Sequence, residues 1–75
     1  MGMRASSTAE RGTAYETGFY EVVSALQKDG YEKTRDSIND DYPERLNSDF
    51  KTEADYSRAQ GRLQALRIHE KTRVK

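Results

Sequence analysis

Carboxylates are the first residues in this chain whose types and spacing invite chemistry. Asp36, Asp40, Asp41, Glu44 and Asp49 crowd one short segment, and adjacent Asp40 and Asp41 have the oxygens to share a cation. A calcium loop of the EF-hand type needs alternating oxygen ligands, a central Gly and a terminal bidentate Glu. Read from Asn39, such a loop would place Pro43 in a ligand slot, Glu44 where the Gly belongs and Phe50 at the end. That pattern fails, and a solvated acidic turn accounts for the cluster. His69 is the one histidine and cysteine is absent, so the side chains for a zinc or thiolate site are missing. No serine stands at a spacing that would join it to His69 as nucleophile and base. Neither a Gly-rich phosphate loop nor a dinucleotide fingerprint occurs. The expectation is a protein that is not an enzyme and uses no cofactor or metal.

Two constellations near the C-terminus point to binding instead. Arg58, Arg62, His69 and Arg73 fall within about 60° of one another on a helix turning 100° per residue. Such a basic flank meets water, phosphates, or the acidic segment 31–51 of this or a neighbouring copy. Asp55 heads the same flank and partly neutralises it. The sequence pI of 6.6 lies well below the basic range of nucleic-acid binders. Ser57, Gly61 and Ala65 recur every four residues beside Ile68 and form a smooth second face. A Gly inside a helix costs about 1 kcal/mol relative to Ala. Either Gly61 is a tolerated surface residue or it lets a helix of this chain or another approach closely. We expect Ser57, Gly61, Ala65 and Ile68 to contact an outside protein partner.

The elements that position these residues are helices. Thr13-Ala14-Tyr15-Glu16 is a capping box, and Tyr15, Phe19, Val22, Val23 and Leu26 follow at helical spacing up to Gly30, a good helix stop. Ala14, Gly18 and Ala25 make a smooth side on the same helix. Ser7-Thr8-Ala9-Glu10 also has capping-box spacing, but Gly12 argues against a strong helix there, so residues 1–12 are expected to be a flexible arm. A short helix is predicted near Glu32–Asn39, ending in Asn39-Asp40-Asp41, whose side chains compete for backbone hydrogen bonds. Tyr42, before the only proline, is predicted to be extended. Pro43 to Leu46 has the makings of one more turn. Thr52-Glu53-Ala54-Asp55 opens the longest uninterrupted pattern, from Glu53 to about Arg73. On it Tyr56, Ala59, Leu63 and Leu66 share one stripe. The fold class is therefore all-α: a small helical hairpin or three-helix bundle with residues 1–12 as arm and 13–75 as helical domain. Tyr31, Ile38, Leu46 and Phe50 are expected to close one end.

Composition sets a limit on this domain. Leu, Ile, Val and Phe together make 11 of 75 residues, while basic and acidic side chains balance at 13 each. A core so thin is marginal in a chain this short, and the zero net charge keeps it out of the typical disordered class. Charge is uneven: residues 1–30, 31–51 and 52–75 carry −1, −2 and +3, which suits pairing within one chain or head to tail between copies. No apolar run nears the ~20 residues that span a bilayer, and no signal-peptide core is present; no membrane association is expected. Met1-Gly2 with Ser6 matches the short and frequent myristoylation pattern.

The run Tyr56-Ser57-Arg58-Ala59-Gln60-Gly61-Arg62-Leu63-Gln64-Ala65-Leu66-Arg67 resembles the Tyr-x-x-Ala-x-Gly-x-Leu-x-x-Leu run of small helical proteins encoded by tailed bacteriophages. The resemblance implies a virion or assembly component, located in the virion or host cytoplasm, whose partners are phage structural subunits or copies of itself. Two alternatives are carried with it: a regulator or inhibitor that binds a host or viral enzyme, and a nucleic-acid-binding module using the basic flank.

Overall fold

The computed structural model describes residues 4–44 and 49–73. Three helices follow one another: α1 (Thr8–Asp29), α2 (Tyr31–Asp41) and α3 (Glu53–Arg73). This is the expected small all-α bundle. Pro43 and Glu44 form a turn; the rest of the turn expected at Pro43–Leu46, and the contribution of Leu46 to one end, lie outside the described residues.

Helix α1 begins at Thr8, five residues before the Thr13 box. Ser7 is its N-cap: Glu10 N–H donates to Ser7 Oγ at 3.1 Å, and Ser7 N–H donates to Glu10 Oε1 at 3.0 Å. Such a cap is worth about 1 kcal/mol, which offsets the similar cost of carrying Gly12 in the helix. The arm is thus shorter than residues 1–12, and its described part, residues 4–7, is tied down. Arg4 forms an isolated parallel bridge with Thr52, donating to Lys51 C=O at 2.9 Å and accepting from Glu53 N–H at 2.8 Å. Ser6 N–H donates to Glu53 Oε1 at 2.8 Å, and Ser6 Oγ accepts from Ala54 N–H at 3.1 Å. Asp55 N–H donates to Thr52 Oγ1 at 3.0 Å. The first amides of α3, which no helical carbonyl can satisfy, are therefore covered jointly by the arm and by Thr52.

These contacts set the topology. Residues 4–7 lie at the start of α3, Gly18 lies against Arg58, and Gly61 lies against Tyr15 and Phe19. Helices α1 and α3 therefore run in the same direction. Helix α2 runs back between their ends, from Tyr31 beside Glu70 to Asp41 beside Arg62. The reversal between α1 and α2 is a single residue, Gly30, at φ 89°; this left-handed conformation favours Gly. Thr34 donates to the Gly30 carbonyl from both its amide (3.2 Å) and its hydroxyl (2.8 Å), which buries Thr34 at the start of α2. Asn39-Asp40-Asp41 extends α2 rather than ending before it. The helix closes at Tyr42, whose amide donates to Ile38 C=O at 2.8 Å.

The core is small, as the composition requires. Val22, Ile38, Ala65 and Leu66 are buried together, with Phe19, Val23, Leu26, Tyr31, Tyr42 and Leu63 packed around them. Phe50 extends it, its ring 6.1 Å from Tyr42 and edge-on to Tyr56 at 5.4 Å. Tyr15, the first member of the expected α1 stripe, is 37% exposed.

Candidate interaction surfaces

The small-residue face of α3 is occupied from within the chain. Gly61, Ser57 and Ala65 are buried. A Cβ on Gly61 would lie 2.0 Å from the Tyr15 carbonyl oxygen and 2.9 Å from the Phe19 nitrogen. One on Gly18 would lie 2.1 Å from the Arg58 carbonyl oxygen. The two glycines let α1 and α3 touch backbone to backbone, and they interlock the smooth sides that the spacing marked on both helices. The expectation that Ser57, Gly61 and Ala65 meet an outside partner is corrected accordingly: α1 already covers them. Only Ile68 of that set is open to solvent, at 41%. The physical reason is the thin apolar complement, which forces the chain to use its close-packing face on itself.

The basic flank divides in the same way. Arg58 donates to Glu21 of α1 through Nε (3.0 Å) and through Nη2. Arg62 donates from Nε to Glu21 Oε1 at 3.0 Å and from Nη1 to Asp41 Oδ2 at 3.2 Å. Its guanidinium also sits 5.9 Å from the Tyr42 ring centre. Hydrogen bonding from Arg58, joined by Arg62 and by the charges of both, holds the Glu21 carboxyl down at about 2 despite partial burial. Burial works against the Arg62 charge, but the hydrogen bond to Glu21 and the charges of Tyr42 and Glu21 together outweigh it and raise its pKa. One carboxylate of α1 and one of α2 are thus clamped onto α3. Asp41 does come from the acidic segment, whereas nothing in the spacing singled out Glu21.

His69 belongs to a third cluster. Its ring stacks on Tyr31 at 5.7 Å. Tyr31 donates its hydroxyl to Glu70, and that bond raises the Tyr31 pKa. Arg35 lies 5.4 Å from the same ring. This arrangement fastens the top of α2 to the end of α3. Arg73 ends α3, and its side chain lies outside the described part of the structure. Arg58, Arg62 and His69 therefore do not form a free cationic stripe.

Besides Tyr15, two large apolar side chains stand out to solvent among the described residues. Tyr20 is 66% exposed on α1, and Ile68 41% on α3. Thr13, Glu16, Thr17 and Ser24 surround Tyr20 on an open, shallow surface. The spacing of the α1 stripe did not mark Tyr20, because that stripe predicts burial rather than exposure. Among the described residues no group of His, Cys, Asp and Glu is arranged to hold a metal ion, and no helix is long and apolar enough to cross a membrane. Comparison with known protein families, with curated proteins and with solved structures finds no match for this chain.

Proposed function

We propose that this chain is a small, non-enzymatic structural protein of a bacteriophage particle or of its assembly, which acts by docking onto neighbouring subunits. The observation that carries the docking reading is the exposure of Tyr20 and Ile68 on a bundle whose close-packing face is already used. A large side chain left in water on a rigid helix is a suitable anchor for a partner. The phage assignment rests on the resemblance of Tyr56–Arg67 alone. Internal pairing of Arg58 and Arg62 with Glu21 and Asp41 lowers the standing of the nucleic-acid alternative.

Cross-linking in purified phage particles, followed by peptide mass spectrometry, tests this reading. Cross-links from residues flanking Tyr20 or Ile68 to a capsid or tail subunit are the expected result. A chain missing from particles but bound stoichiometrically to a soluble host or viral enzyme would replace this reading with the regulator.

A further inference from the structure

We propose that copies of this chain associate head to tail, with the Tyr20 face of α1 in one copy docked on the Ile68 face of α3 in the next. This rests on the docking reading above and names one partner for it. Each of the two surfaces pairs an exposed apolar anchor with charge of one sign. Beside Tyr20, one turn earlier, stands exposed Glu16, which has no cationic partner among the described residues. Glu21 on that side is already neutralised by Arg58 and Arg62. Beside Ile68 stand exposed Arg67 and, one turn later, exposed Lys71, neither paired with a carboxylate among the described residues.

Charge then selects the arrangement. Two Tyr20 faces brought together would oppose Glu16 to Glu16, and two Ile68 faces would oppose four cations. Only the mixed contact joins Glu16 to Arg67 or Lys71 while covering Tyr20 and Ile68. Tyr20 sits roughly 160° around α1 from Gly18, at 100° per residue, so it points away from α3. One copy can therefore use both faces at once. Such an interface is heterologous and builds chains or rings rather than a closed two-fold dimer. A single helix face on another is below the usual size of a stable interface, so the association is weak. It is also salt-sensitive, since its charges lie at the rim.

Sedimentation of the full chain over a concentration series tests this. In about 0.05 M salt the average mass is expected to rise with concentration past that of a dimer, and to fall back in about 0.5 M salt. Tyr20→Ser and Ile68→Ser are each expected to abolish the rise, with unchanged circular dichroism because both side chains are exposed. An equimolar mixture of the two variants is expected to form a dimer and stop there, since each variant keeps one intact face. A wild-type chain that stays monomeric at about 1 mM overturns the proposal, as does an Ile68→Ser variant that still self-associates. Neither result touches the docking reading, which stands or falls on the cross-links in particles.

Discussion

Replacing Gly61 by Ala puts one methyl group where two helix backbones meet. The added Cβ would stand 2.0 Å from the Tyr15 carbonyl oxygen. Ordinary contact begins near 3.4 Å, so the helices must part by roughly 1 Å or more; a gap of that size forfeits a quarter to a half of each dispersion contact across it. The obstacle is backbone on a paired helix, so no side-chain rotation relieves it. Overpacking of this kind costs about 1–3 kcal/mol, and the loosened core around Val22, Ala65 and Leu66 adds to it. Higher helix propensity of Ala returns about 1 kcal/mol. With the loosened core included, the expected net loss is about 1–2 kcal/mol in a domain whose whole stability is on the order of 4–11 kcal/mol. Urea unfolding followed by circular dichroism measures it, and the melting temperature should fall by roughly 5 °C or more. Gly12→Ala is the control. It also replaces a glycine inside a helix by Ala, here in α1, but nothing lies within 4 Å of its Cβ, so it should stabilise by up to about 1 kcal/mol. Equal stabilisation by both substitutions would refute the close approach of α1 and α3.

Three further outcomes follow from the same geometry. Gly18→Ala should destabilise as Gly61→Ala does, and the double variant should lose less than the two single losses together, because the helices need part only once. Glu21→Gln should alter acid stability: with its folded pKa near 2 against an ordinary 4.5, Glu21 contributes stability above about pH 4.5 that is lost as pH falls toward 2. Solvent screening limits that contribution to about 1–2 kcal/mol, and urea midpoints of the variant between pH 7 and pH 2 should lack that part of the decline. Ser6→Ala removes the acceptor for Ala54 N–H and should cost about 1 kcal/mol, with faster amide exchange at Ala54 measured by nuclear magnetic resonance.

Sequence reasoning reached the longest helix almost residue by residue, because Thr52 caps it and no proline or glycine pair interrupts it before Arg73. It placed the start of α1 too late. Two capping boxes, at Ser7 and Thr13, compete there, and local propensity at Gly12 weighs against the earlier one. The choice was made by the tether of Arg4 and Ser6 to Glu53 and Ala54, a contact across 47 and 48 positions that no local pattern contains. The basic flank was legible as an angular sector. Its use was not, since Glu21 reaches Arg58 and Arg62 only once α1 and α3 lie side by side.

The sequence by itself determined an all-α chain: helical periods, caps and the scarcity of apolar residues follow from local chemistry and composition. It also marked Gly61 as a residue that needs a neighbour, because a glycine inside a helix is costly unless something comes close. Only the tertiary structure decided which neighbour that is. Backbone approach depends on where two distant helices cross, and here the crossing sets Gly61 on Tyr15 and Gly18 on Arg58. The same crossing turned most of the face expected for a partner inward, and among the described residues it left Tyr20, Ile68 and Tyr15 as large apolar side chains open to water.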